Sequence, residues 1–321
     1  MYFSSIPEAY APVGAPLRYT LTGGSTDETV VRILADGDRL LGTKRFTEPH
    51  PISFDAAPYL RNAFRFTPQR GRSGVFTAAD RLLNVVVEAS CGGETIRSLA
   101  RPCVAADRPF ARPSLLTVMP ANRLLTPDGC DELTLFATGP LRITVTAEQG
   151  DTLSAESYAV PTAGLYGFRV AAADFAGAER LTVDLGACGS VSYTVLPAPD
   201  GARTVAWRSR AGSIEHYTFP VVQRVERRIA KRRACGAEGL LTHAVTYEER
   251  VELQAAYEVP EVCAALADLL AAEQVWWLDE AALYRPIDVL TEQCELHRHG
   301  SMRAPVITVR STLQNDSPWS C

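Results

Sequence analysis

Short runs of alternating apolar and polar residues, each cut off by glycine, proline or aspartate, fill the first two hundred positions. Leu17, Tyr19 and Leu21 alternate until Gly-Gly-Ser-Thr ends the run, Val30–Leu34 follows, and Asp36-Gly37-Asp38 turns into the next segment. Residues 82–90, LLNVVVEAS, form another β-branched run, closed by Cys91-Gly-Gly. A period of two with turn residues at short intervals is the pattern of antiparallel strands packed as a sandwich. It predicts one β-sandwich over residues 1–105. Around 105–115 the sequence ADRPFARPS interrupts the pattern with prolines and charges and reads as a linker.

A second strand series then begins. Leu141, Ile143 and Val145 alternate with Arg142, Thr144 and Thr146, and LTVDL (181–185) and VSYTVL (191–196) continue the series to PAPDG (197–201). This predicts a second sandwich over 106–200, of the immunoglobulin or fibronectin size of about 100 residues. The last third differs in kind. RVELQAAYEV (250–259) alternates Val251, Leu253, Ala255 and Tyr257, then runs into Pro260, which suits the first turn of a helix. Val262, Leu266, Leu269 and Leu270 recur at helical spacing, and strand-like QVWWL, RPIDVL and APVITVR follow. One helix laid on a small curved sheet is the simplest packing of that order, so residues 201–321 are expected to form an α+β, split-barrel-like domain. The fold class is therefore mainly β: two tandem immunoglobulin- or fibronectin-like sandwiches followed by the α+β domain.

Composition narrows the function. The chain is 46% hydrophobic and 21% charged, with a net charge of -5 and a pI near 5.7, so no global field draws it to nucleic acid or an anionic membrane. The N-terminal MYFSSIPEAYAPVG has neither the basic segment nor the apolar run of a signal peptide, and no later window is apolar enough for a membrane span. The eight cysteines are scattered without a paired spacing; this excludes a zinc ribbon and suits small buried hydrophobes in a reducing compartment. Nucleophile, phosphate-loop, dinucleotide and zincin motifs are all absent, and no enzyme activity or cofactor is expected.

Four clusters remain. Cys294, His297 and His299 would offer two imidazoles on one strand face, but a metal needs further ligands from elsewhere, so an exposed polar face is the expectation. Asp128, Asp131 and Glu132 surround Gly129; paired carboxylates suit acid–base work, whereas Pro127-Asp128-Gly129 is already a turn. The basic run 223–233 carries Arg224, Arg227, Arg228, Lys231, Arg232 and Arg233. On a helix, Val221 or Val222, Val225 and Ile229 would be its buried side; on an extended arm the charges splay to both sides. A solvated face is the default reading and contact with an acidic partner protein the next, so the run marks an interaction surface at most. The fourth cluster, WRSRAGSIEHYTFP (207–220), reads as the first hairpin of the third domain, with Trp207, Tyr217 and Phe219 inward and residues 210–213 as the turn. His216 has no nucleophile or carboxylate beside it in sequence. Trp276, Trp277 and Trp319 are the candidate exposed aromatics for a ligand or subunit contact.

The pattern W-x-x-R-x-G-x4-Y-x-F (Trp207, Arg210, Gly212, Tyr217, Phe219) resembles structural proteins of tailed phages and prophages of gut Bacteroidetes, as does SFDAAPYLRNAF with Asp55, Tyr59, Leu60, Arg61 and Phe64. The strand, Pro-started helix and VWWL order is similar to the split-barrel domain of tail-tube and baseplate-hub proteins such as distal tail proteins. The resemblance implies a non-enzymatic virion component, made in the bacterial cytoplasm, whose partners are copies of itself and neighbouring tail or baseplate proteins. It implies a ring built by the split barrel, with sandwiches displayed outward and no active-site residues. Such families often carry a charged β-hairpin that lines the tube, which is not identified in this sequence. The contrasting expectation is a monomeric carbohydrate- or protein-binding module of tandem sandwiches.

Overall fold

The computed structural model describes residues 1–24, 27–236, 239–279, 282–295, 302–312 and 315–316. Two sandwiches and one curled sheet account for them. The first sandwich uses β1 (Tyr2–Ser5), β2 (Ala11–Pro12), β3 (Arg18–Thr22), β4 (Thr29–Ala35), β5 (Arg39–Phe46) and β6 (Ile52–Asp55). After a single helical turn, α1 (Ala57–Leu60), come β7 (Gly74–Thr77), β8 (Leu82–Cys91), β9 (Glu94–Arg97) and β10 (Arg101–Val104). One sheet runs β1-β3-β6 and the other β2-β10-β8-β4-β5, with β9 on β8. Tyr19, Leu21, Val31, Ile33, Val85 and Val87 fill the space between them. Arg32, between two buried residues of β4, points outward and pairs with Glu88. The Asp36-Gly37 turn takes positive φ at both residues (50° and 97°), matching the tight connection between β4 and β5.

The second sandwich contains β11 (Ser114–Leu116), β12 (Asn122–Leu125), β13 (Cys130–Ala137), β14 (Leu141–Gln149), β15 (Thr152–Val160), β16 (Gly164–Ala171), β17 (Arg180–Asp184) and β18 (Ser190–Val195). Its sheets run β11-β13-β16-β7 and β12-β18-β17-β14-β15. Each sandwich has a parallel ladder between an early strand and its last one, β2 with β10 and β12 with β18, so the second repeats a feature of the first. The expected boundary near residue 105 is crossed once. β7, from the first segment, completes the second sandwich by pairing with β16. Gly167 permits that crossing, because a Cβ there would stand 2.0 Å from the Phe76 ring. The linker is not a free spacer either: Ala106 and Phe110 pack with Phe136 in a small core of their own.

The third unit holds β19 (Arg203–Arg208), β20 (Ile214–Phe219), β21 (Val221–Gly236), β22 (Gly239–Gln254), α2 (Pro260–Leu270), β23 (Val275–Leu278), β24 (Tyr284–Val289), β25 (Val306–Ser311) and β26 (Asn315–Asp316). Its sheet order is β20-β19-β23-β24-β25-β22-β21, with β26 on β22. The two ends of that order, β20 and β21, are joined by Pro220 alone. A flat sheet would hold its outermost strands far apart, so this one curls round until its edges meet at the proline. α2 packs Val262, Ala265, Leu266 and Leu269 against Trp207, Phe219, Leu253, Ile307 and Val309, closing the core. Trp207 and Phe219 are inward as the sequence predicts; Tyr257 is exposed, since the strand stops at Gln254.

Candidate functional site

Two regions concentrate charge: a projecting hairpin and a buried junction. The basic run is neither a helix nor a lone arm. It is β21, sixteen residues long, paired along its length with the sixteen of β22. β-pairing wins over helix here because Val222, Val225 and Ile229 find Leu253, Val251 and Tyr247 directly across. At the base of the hairpin β25 covers Arg250–Gln254, and β26 reaches Thr246 and Tyr247. Beyond them Gly239–Val245 and its partner residues have no further strand beside them among the described residues, a projection of about 20 Å at the rise of a strand.

Alternation divides the hairpin's faces. One carries Arg224, Glu226, Arg228 and Arg232 opposite Glu252, Arg250, Glu248 and Ala244; the other carries Val225, Arg227, Ile229 and Lys231 opposite Val251, Glu249, Tyr247 and Val245. Near the base the cations are neutralised: Arg227 meets Glu249 at 2.8 Å, Arg224 meets Glu226 at 3.1 Å, and Arg228 meets Glu226 at 3.1 Å. Those partners hold the Glu226 carboxyl below its ordinary range, Arg228 most strongly. Farther out, Lys231, Arg232 and Arg233 face Val245, Ala244 and Thr242, with no carboxylate across the ladder. Val225 and Ile229 are 59% and 58% exposed, an apolar side that nothing among the described residues covers.

The junction is the reverse case. β13 is buried along its whole length because its sheet is covered on both faces. Leu133, Leu135 and Ala137 face the sandwich core, whereas Glu132 and Thr134 face the first sandwich and receive the fully buried Arg81. Burial pushes the Arg81 guanidinium down to about 10, against the pull of Asp80. The Glu132 carboxylate also accepts the Gln69 amide at 2.9 Å. On the other side Arg123 donates to Asp131 at 2.5 Å and lies 3.5 Å from Glu215 of β20, and Glu215 accepts from the Thr117 hydroxyl and the Val118 amide.

Asp131 also accepts from Tyr193 at 2.9 Å and from His216 Nδ1 at 3.2 Å. A carboxylate only accepts, so His216 Nδ1 carries a proton toward Asp131, and the Tyr284 hydroxyl oxygen lies 2.9 Å from the other ring nitrogen, Nε2. Tyr284 oxygen in turn lies 3.4 Å from Arg169 Nη1 and 3.4 Å from the Cys130 thiol. Burial works to raise the Asp131 carboxyl, but the Arg123 guanidinium, His216 and Tyr193 outweigh it and hold the group below the usual carboxylate range. Burial, and then the Asp131 charge, push the Tyr193 hydroxyl well above its ordinary value. Beside this network lies a cavity of about 310 Å³ between β12 and β20, with Arg123, Asp131, Cys130 and His216 at one side and Leu124, Leu196 and Val262 among its apolar walls. Arg123, Asp131, His216 and Tyr284 are joined by hydrogen bonds that tie the second sandwich to the curled-sheet unit, while Arg81 ties the second sandwich to the first.

Most residues singled out in the sequence separate on these terms. Asp128 is exposed in the turn closed by the Gly129 amide on Thr126, whereas Asp131 and Glu132 are structural anions of the junction. His216 finds its carboxylate 85 positions away, which no local pattern signals. Trp276 is buried against the first-sandwich core and Trp277 is half-buried on the core of the curled sheet, since adjacent strand residues point to opposite faces. Cys294 is half-buried, while His297, His299 and Trp319 lie outside the described residues. Among the described residues no group of three or more potential ligands is placed to hold a metal ion.

No family model and no curated protein matches the chain. Among solved structures, a chain from the crystal structure of Dpr2 Ig1-Ig2 in complex with DIP-Theta Ig1-Ig3 aligns at 12% identity, over 61% of this chain and 98% of that one, with a TM-score of 0.17. A superposition of that quality carries no argument, and the sandwich description rests on the sheets themselves.

Proposed function

We propose that the protein is a non-enzymatic structural component of a phage or prophage tail or baseplate, and that it assembles with copies of itself through the curled-sheet domain. The β21–β22 hairpin is the observation that supports this reading. Among the described residues the outer edge of β21 is unpaired over all sixteen residues, and the outer edge of β22 is unpaired from Gly239 to Val245. One long edge and one short edge, facing opposite ways on the same ribbon, suit a head-to-tail contact that repeats around a ring. The exposed Val225 and Ile229 supply apolar area for such a contact, and the charged partners flanking them fix register more than affinity.

The contrasting binding-module reading predicts exposed aromatics among Trp276, Trp277 and Trp319; Trp276 is buried and Trp277 half-buried, and Trp319 lies outside the described residues. Light scattering after size-exclusion chromatography tests the proposal. The expected mass is a multiple of 34.9 kDa that falls in a Val225→Glu, Ile229→Glu double variant with an unchanged melting profile. A strict monomer at every concentration, or a mass indifferent to the double variant, overturns assembly through the hairpin.

A further inference from the structure

A second strand edge is bare, and it has none of the protection that β21 carries. Among the described residues β15 ends its sheet and pairs only with β14, in nine consecutive residue pairs without a bulge. Residues 152–157 are all exposed, and Leu153 is 70% accessible. Natural edges are blunted by lysine, proline, bulges or short length. β15 is nine residues long, contains no lysine or proline, and bears one charge, Glu156, whose carboxylate is turned back to accept the Tyr158 hydroxyl at 2.7 Å. β21, by contrast, has two register shifts in its pairing with β22 and six cations. The unprotected edge is long and regular enough to template another strand.

We infer that β15 is a docking edge for β15 of a second copy, antiparallel, with Ala155 opposite Ala155. Identical antiparallel strands are related by a two-fold axis through the sheet, and opposed side chains must share a face, so the axis passes through one residue pair. Centring on Glu156 sets two carboxylates against each other. Centring on Ser157 draws in the far end, where Val160 is buried and Tyr158 lies near Ser73 beside β7. Centring on Ala155 places the smallest side chain on the axis, Ser154 opposite Glu156, Leu153 opposite Ser157 and Thr152 opposite Tyr158. No like charges oppose, and every residue used up to Ser157 is exposed.

This contact is separate from the hairpin contact, and it is tested on full-length chain carrying Val225→Glu and Ile229→Glu, by sedimentation equilibrium. The expected species is a monomer–dimer mixture. Ala155→Lys opposes two ammonium groups on the axis and should weaken the dimer about fivefold, whereas Ser154→Lys sets each lysine against Glu156 and should hold or tighten it. Hydrogen exchange at the β15 amides should slow with protein concentration in the parent and not in Ala155→Lys. Equal effects of the two lysines discard the register. A monomer whose β15 exchange ignores concentration discards the docking edge, whatever the hairpin does.

Discussion

The hairpin and the junction both depend on arginine–carboxylate pairs, yet the pairs have opposite consequences. Arg227 and Glu249 meet at 2.8 Å with water around both, so their attraction is screened and holding two long side chains in place offsets most of it. Arg123, Asp131 and Glu215 meet where almost no water reaches. Bringing those charges inside costs several kcal/mol per ion, and only the complete set of partners compensates. Exposed pairs therefore describe a surface and its register, whereas buried pairs oblige three parts of the chain to stay together.

Truncating one side of the junction should break that contrast most severely. Arg123→Ala leaves Asp131 and Glu215 buried without their cation, and a loss of about 3–5 kcal/mol is expected in denaturant unfolding. A loss below about 1 kcal/mol would mean that water reaches the site and that the two regions are not different in kind. Tyr284→Phe removes the hydroxyl shared by His216, Arg169 and Cys130 and should cost about 1–3 kcal/mol, since the groups around it stay buried.

Acid sharpens the comparison further. The folded Asp131 carboxyl lies below its unfolded value near 3.9, so its contribution is complete above that value and is lost as pH falls through the lower, folded one. Stability should fall off below about pH 4, and Asp131→Asn should flatten that acid limb when unfolding is followed across pH. The smallest effect belongs to the hairpin: in the Val225→Glu, Ile229→Glu background, where the proposed contact is removed, Arg227→Ala should leave stability nearly unchanged, and raising salt from about 0.1 to 1 M should erase what difference remains, as thermal melts would show. A cost comparable to the Tyr284 change in that background would mean that Arg227 is held by the chain's own fold and that the two regions are not different in kind.

Legibility in the sequence followed the range of the interactions. Alternation in β4, β8, β14 and β17 identified strands, and Pro260 with its helical stripe identified α2, because each signal sits within a dozen residues. The basic run was ambiguous for a physical reason: Val225 and Ile229 satisfy a helical spacing and a strand spacing equally, and only the complementary β22 chooses between them. The crossing of β7 into the second sandwich had one faint local trace, Gly167, whose missing side chain means little until Phe76 is known to lie on it.

The sequence by itself determined the β class, the order of the units and the outward charge of residues 224–233, since backbone periodicity and turn chemistry act locally. Tertiary structure alone decided that Asp131 and Glu132 are buried anions, that His216 and Tyr284 share a hydrogen bond, and that Trp276 and Trp277 face two different cores. Those outcomes depend on desolvation, and desolvation is set by which distant segments come to lie on top.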